Sequence, residues 1–449
     1  MKKIYTIIII LWIVKANAQC WQYLSAGGSL TLALNLDGSL WITGNNAVGA
    51  LGDPNFSGYS IHKLGTETDW VFVEAGNLCS FGIKNNGTLW AWGYNNYGQI
   101  GDFTTVNKTI PTQIGTETNW QSVSAGLNFT VALKTDGTIW AWGRNQIGQL
   151  GDGTTVNKNH PIQVGTDSDW ESISAGSEFT VAKKIDGSIW GWGSNSSGQL
   201  GTAAMTQTTP YRIGNLNAWK KISAGDRSVV AQKNDNTIWS WGSNNQGQLG
   251  INSTTNRNTP IQIGTAEWKT FSVGTQYVLA IKSDNTLWAW GYNHSGQLGI
   301  GNDTGVLQPT LVDNATDWDT VFAGYEHSLA IKSDASGWAW GTNYYAELGN
   351  GTLTYSNIPI NLNCTDLSNQ QVSFVDLVVL PNPANAMLNI QNFGNQIIDK
   401  IIINDISGKV LVILEDNSRT IDVQNLKQGI YFIQIQSQGK TFIQKFIKE

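Results

Sequence analysis

Residues 120–151 read WQSVSAGLNFTVALKTDGTIWAWGRNQIGQLG, and the pattern returns along most of the chain. The opening tryptophan recurs as Trp21, Trp70, Trp120, Trp170, Trp219, Trp268 and Trp318, at spacings of 49, 50, 50, 49, 49 and 50 residues. Self-similarity at such a period is the mark of a repeat architecture, in which no unit buries its faces alone. Seven copies fill the chain from Trp21 to about Cys364. Within the copy quoted, WQSVSAG, FTVALK, TIWAWG and the later HPIQVG read as four short strands. Asp136-Gly137 joins the second to the third through a tight turn, because Gly accepts positive φ and Asp tolerates it. Pro161 suits a strand start or a sheet edge, where no ladder donor is needed. All twenty tryptophans after Trp12 fall at repeat positions. They read as packing residues between neighbouring units rather than a stacking platform for sugars or bases.

The totals agree. A chain of 449 residues is too long for one ordinary core, and 49 Gly with 21 Trp is a strand-and-turn composition. Between Gln19 and Cys364 there are 17 Lys and Arg against 25 Asp and Glu. An acidic body argues against a nucleic-acid backbone as main partner, since that contact needs a basic footprint. At the start, Lys2-Lys3, an apolar run from Ile4 to Val14 and Ala16-Asn17-Ala18 predict a signal peptide over 1–18. Cys20 raises lipidation as an alternative, with Gln19 standing where a small residue is needed.

The pattern Ala125-Gly126, Asp136-Gly137, Trp140, Trp142-Gly143, Asn145 and Gly148-Gln149-Leu150-Gly151 resembles the regulator of chromosome condensation repeat family. The resemblance covers all seven copies and implies an all-β, seven-bladed β-propeller over 19–364. The family's second-strand His is matched only by His327. Leu30, Cys79, Phe129, Phe179, Ser228 and Tyr277 take its place elsewhere. The family's eukaryotic founder is a nucleotide exchange factor that docks on chromatin. That role is not carried over to an acidic, exported chain with no wedge inserted in one blade. A secreted bacterial member that inhibits β-lactamases by binding them is the nearer analogy, for activity class alone.

After Cys364 the grammar changes. Residues 365–375 read as a linker, and 376–449 as a small C-terminal β-sandwich with alternating strands and Gly or Asn/Asp turns. Pro381-Asn382-Pro383, Asp405, Gly408-Lys409, Gly429-Ile430-Tyr431 and Lys445 resemble the C-terminal sorting domain of the type IX (Por) secretion system. That implies contact with the secretion machinery, and a secreted or outer-membrane-surface location in a Gram-negative, Bacteroidetes-like bacterium.

The four histidines, His62, His160, His294 and His327, lie in different copies without metal-ligand spacing, so neither metal nor cofactor is expected. No HExxH, Walker loop, nucleophile elbow or Cys-x-x-Cys occurs. The acids of turns such as Asp37-Gly38 and Asp186-Gly187 are explained by the turns. A quinoprotein dehydrogenase lacks its Asp-Ala-x-Thr-Gly turn here, and a sialidase its Ser-x-Asp-x-Gly order. No enzyme is expected.

In a four-stranded meander the first and third connections share one face. There the copies differ most, offering Tyr94, Tyr97, Arg144, Asp226, Arg227, Tyr292, Tyr325, Glu326, Tyr344 and Tyr345 as candidate contacts. Varied loops on a rigid scaffold suit recognition, with Tyr and Arg as anchors. The expectation is a protein-binding module with an unidentified protein partner. A carbohydrate-binding or adhesive surface protein is the alternative, and a propeller enzyme a distant third. Repeat register puts Cys20 and Cys364 where one turn would join the last copy to the first, so a disulfide between them is expected. Cys79, at the place of Phe129, is expected to be a buried free thiol.

Overall fold

The computed structural model describes residues 20–56, 58–202, 206–363, 378–391, 398–405, 409–415, 417–437 and 440–449. The expected signal peptide, the linker, Cys364 and Gly408 lie outside them. Every regular element among the described residues is a strand. The chain divides into two compact units, Met1–Asp366 and Leu367–Glu449.

The first unit holds seven four-stranded antiparallel sheets, each a meander of consecutive strands. In sheet three the strands are Trp120–Ala125, Phe129–Lys134, Ile139–Gly143 and Lys158–Gln163. Three of these match the expectation closely. The fourth begins two residues earlier than HPIQVG suggests and carries Pro161 in its interior. The ladder slips there, between Ala141 and Gly143, and resumes at Lys158. As the outermost strand it needs no donor from Pro161 on its free side.

The second-to-third turn is held by a relay that every sheet repeats. Asp136 Oδ1 accepts the Thr138 N–H and hydroxyl at 3.0 and 2.6 Å, and Thr138 Oγ1 accepts Trp140 Nε1–H at 3.0 Å. Asn236, Asn285 and Ala335 hold positive φ where other copies have Gly. Asn tolerates that region, whereas Ala335 is strained there.

Adjacent sheets are joined by a clasp. Trp142 Nε1 donates to Gln99 O of the preceding sheet at 2.8 Å, and Thr130 Oγ1 donates to the same carbonyl at 2.9 Å. Trp241, Trp290 and Trp340 repeat the indole bond to Gln199 O, Gln248 O and Gln297 O. The Gly-Gln-Leu-Gly loop must lie flat against the indole. A Cβ on Gly101, Gly151, Gly250 or Gly299 would stand 2.6–2.8 Å from the indole nitrogen. The opening tryptophans are buried and meet these rings edge-on, as Trp120 does with Trp140 and Trp142 at 6.2 and 6.0 Å.

The last sheet closes on the first without exchanging a strand. Sheet one has Thr43 in place of the clasping Trp. Thr31 Oγ1 donates to Glu347 O at 2.8 Å and Thr43 Oγ1 to Ala346 O at 2.6 Å. Trp21 Nε1 donates to Leu362 O at 2.8 Å, and the backbone N–H groups of Cys20 and Trp21 reach Ala335 O. His327 is buried beside Thr31, Nε2 to Oγ1 3.0 Å, and burial lowers it to about 4. It is neutral at physiological pH.

In the second unit a three-stranded and a four-stranded sheet share one apolar core, including Leu388, Ile401, Ile433 and Phe446. Asn382 ties the Pro381-Asn382-Pro383 segment to the final strand, accepting from Ile447 N and donating to Lys445 O at 2.9 and 3.2 Å. Lys409 N donates to Asp405 Oδ1 at 3.1 Å, and Tyr431 packs on Phe446 with its hydroxyl on Lys427 O. Gly429 opens the strand Gly429–Ser437.

The clasp can be tested in place. Trp142→Phe removes the indole bond and leaves a void in the fully buried site beside Gly101, so it should cost about 2–3 kcal/mol. Gly101→Ala meets both the indole and a φ of 87°, whereas Gly115→Ala meets only a φ of 65° with no atom within 4 Å. Denaturation midpoints should therefore fall further for Gly101→Ala; equal losses would refute the clasp.

Candidate functional site: the loop face and the axial cavity

The innermost strands of the seven sheets surround a cavity of about 200 Å³, lined mostly by the fourth residue after each opening Trp and by the Ala-Gly turns that follow, with Tyr23 of sheet one. A β-bulge just after the Trp turns those positions toward the axis. The fourth position supplies a hydroxyl that ties each sheet to the next. Ser25, Ser124, Ser174, Ser223 and Ser272 Oγ accept the backbone N–H of Ala75, Ala175, Ala224, Val273 and Ala323 at 2.9–3.2 Å. Above them the Ala-Gly turns are laced sheet to sheet, as Ser177 N to Asp226 O at 3.2 Å and Tyr325 N to Gly27 O at 3.1 Å.

Two positions in this ring break the pattern. Phe322 replaces the serine of sheet seven and packs edge-on against Tyr23 at 4.9 Å. Glu74 replaces that of sheet two. Its carboxylate accepts a long bond from Ala125 N at 3.4 Å and one from Ser25 Oγ at 3.3 Å. Among the described residues no cation pairs with it, and burial pushes it up to about 7. Lys221, at the second position of sheet five, donates to Thr270 Oγ1 and Phe271 O at 2.6 and 3.0 Å, and burial lowers it to about 8. Tyr325 of sheet seven lines the cavity together with Asp226 of sheet five. Burial and then the Asp226 charge push its hydroxyl up to about 12.

The candidate contacts fall into several groups. Arg144 pairs with Glu178 of the next sheet at 3.0 Å and lies 5.9 Å from the Tyr97 ring. Asp226 and Tyr325 share the cavity mouth, with Arg227 exposed beside them. Tyr292 packs near His294, and Glu326 accepts from Ser295 Oγ at 2.9 Å. Tyr344 and Tyr345 stand 75% and 53% exposed on the long loop of sheet seven, whereas Tyr94, Tyr97 and Arg144 are half-buried. Sequence reasoning missed Glu74, Lys221 and Glu178. For Glu74 the signal was present: a glutamate at a position that five other copies fill with serine. Among the described residues no group of three or more His, Cys, Asp or Glu is placed to hold a metal ion. Cys79 is buried and free, and burial pushes its thiol up to about 12.

The repeat grammar and the sheets it builds match the model for the regulator of chromosome condensation (RCC1) repeat over residues 86–133, 136–182, 186–232, 235–281 and 284–331, more than half of the chain. The chain belongs to the RCC1 repeat family. A second model of the same repeat matches 70–99, 120–149, 170–199, 219–248 and 268–297. Residues 378–449 match the secretion system C-terminal sorting domain. This RCC1-repeat protein is therefore sent by type IX secretion to the cell surface or beyond, as in Bacteroidetes-like bacteria. Among solved structures it is similar to Prp20p of Saccharomyces cerevisiae, at 21% identity and a TM-score of 0.66, covering 74% of this chain and 88% of that one. It is also similar to human WBSCR16, at 19% identity and a TM-score of 0.62, covering 68% and 85%. These likenesses show the propeller fold. Among curated proteins none matches.

Glu74 carries a pH signature. Near pH 4 its carboxyl is largely protonated in both states. As pH rises from about 4.5 through 7 the unfolded chain releases the proton first, so the fold loses stability across that window. Glu74→Gln should stabilise the RCC1-repeat protein by on the order of 1–3 kcal/mol at pH 8 and hardly at all at pH 4. Parallel stability curves for the two proteins would show that Glu74 is not held this way.

Proposed function

We propose that this RCC1-repeat protein is a seven-bladed propeller, carried out of the cell by a β-sandwich sorting domain, that binds another protein through its loop face and catalyses no reaction. One observation carries the reading, a contrast between the two faces. The turns of one face repeat a single Asp or Asn, Thr or Ser, Trp relay in every sheet. The other face places a different residue in nearly every copy around a rigid, hydrogen-bonded rim. Conformational uniformity on one side and chemical variety on the other is how a scaffold presents a recognition surface. The adjacent exposed rings of Tyr344 and Tyr345 favour a glycan as the second reading.

Capture of partners by the full exported chain, beside a glycan array, separates the two readings. With a partner in hand, alanine at Arg227, Tyr344 and Tyr345 should weaken binding by tenfold or more at the positions that anchor it. Asp136→Ala, on the opposite face, should leave affinity unchanged. Loss at Asp136 with none at the loop residues would overturn the assignment.

We also propose that Cys20 and Cys364 are joined. Cys20 is not a free thiol, and Trp21 next to it bonds Leu362 O, two residues before Cys364. Since the ring closes without an exchanged strand, a covalent closure could add on the order of 5 kcal/mol by the chain-entropy argument. Non-reducing peptide mapping of the exported protein should recover the two cysteines in one linked pair. Alkylation of all three cysteines without reduction would exclude it.

A further inference from the structure

In six of the seven sheets a lysine at the end of the second strand lies over two indoles, that of the opening Trp and that of the first third-strand Trp. The lysines are Lys84, Lys134, Lys184, Lys233, Lys282 and Lys332. An ammonium over aromatic faces still seeks an anion, because the rings satisfy none of its three donors. In four sheets the link between sheets provides it. Lys84 pairs with Glu67 at 2.7 Å, Lys134 with Glu117 at 2.6 Å, Lys184 with Asp167 at 2.7 Å and Lys332 with Asp317 at 2.9 Å. Among the described residues no carboxylate pairs with Lys233 or Lys282, and these two ammonium groups settle nearer the second indole, at 3.5 and 3.3 Å.

The two open cases differ. The link before sheet five, Asn215-Leu216-Asn217-Ala218, keeps four residues between Gly214 and Trp219. The link before sheet six keeps three, Thr265-Ala266-Glu267, between Gly264 and Trp268. Counted from the Gly, Ala266 stands where Glu67, Glu117 and Asp167 stand; Glu267 precedes Trp268 as Asp69, Asp169 and Asp317 precede theirs, but it is exposed and, among the described residues, forms no ion pair with Lys282. Shortening and truncation together leave a hollow of about 460 Å³ on the outer flank, lined by Ile251, Ile263, Ala266, Trp288 and Pro309 with Lys282 as its cation. Burial lowers the Lys282 ammonium from its ordinary value.

We propose that this hollow is a binding site for a small organic carboxylate with an apolar body, whose carboxylate takes the place on Lys282 that the link acids take on the equivalent lysines. The four closed sites show what the geometry accepts: carboxylate oxygens on the ammonium, one at Lys134 and Lys332 and two at Lys84 and Lys184, beside two indoles. The apolar walls hold the body of the ligand, and the volume is that of a small-molecule site. The site lies away from the loop face and does not depend on the partner-binding reading.

The probes are phenylacetate and its uncharged counterpart phenylacetamide, titrated into the full chain by calorimetry and by ligand-observed NMR. Phenylacetate should bind at least tenfold more tightly than the amide. Lys282→Met should reduce its affinity at least tenfold, and Lys134→Met, at a closed site, should leave it unchanged. Ala266→Glu is the decisive variant. It restores the built-in acid, so it should keep the fold, raise the unfolding temperature and abolish binding. Equal affinity for acid and amide, undiminished binding by a folded Ala266→Glu protein, or no phenylacetate binding at millimolar concentration would each overturn the proposal.

Discussion

At four of the junctions between sheets one carbonyl of the preceding sheet takes the bond of a buried indole, that of Trp142, Trp241, Trp290 or Trp340. Gln99 O, in the loop after the third strand of sheet two, accepts from Trp142 Nε1 and Thr130 Oγ1 of sheet three. Because a carbonyl has two lone pairs, a single atom can fix both the angle and the distance between neighbouring sheets. The surrounding sequence follows from that geometry. The loop must pass flat under the indole, so its last residue is Gly. The indole must be buried to hold its bond against water, so the opening Trp and the first third-strand Trp pack around it edge-on. The lysine at the end of the second strand then covers the half-exposed outer ring.

The parts of the fold that repeat were legible in the sequence, and the parts that arise between repeats were not. Strand order, the Asp-Gly turns and the packing role of the tryptophans could be read because each is a local pattern copied along the chain. Pro161 was read as an edge residue, which it is, but the strand began earlier because a bulge absorbs the missing donor. The axial cavity is different in kind. Glu74 comes from sheet two and Phe322 and Tyr325 from sheet seven, with Tyr23 of sheet one between them, and only closure of the ring brings them to one axis. The useful signal there was departure from the repeat, a glutamate or phenylalanine among serines.

The same logic governs the charges. The relay carboxylates Asp37, Asp136 and Asp334 are held below their ordinary range, chiefly by side-chain bonds from Ser39, Thr138 and Ser336. They are committed to structure. Glu74, which lines the cavity, and Lys221, whose ammonium is buried on Thr270 and Phe271, have no ion-pair partner among the described residues, and burial moves each toward its neutral form. The acids of the chain are thus held in different ways, the relay aspartates locked into turns and Glu74 buried at the axis.

Each sheet is a contiguous stretch of chain, and no strand is lent from the first to the last. Propellers that close by sharing a strand between their termini must keep both partial blades, so a deletion at either end leaves a half-sheet. Here a cut before one opening Trp and a rejoining before another removes or adds whole sheets, with both ends still finishing on complete ones. Unequal recombination within the gene can therefore change the number of copies in a single event. The opposing walls of the cavity are set by which copies face each other, so such an event would alter the axial lining without altering any one repeat.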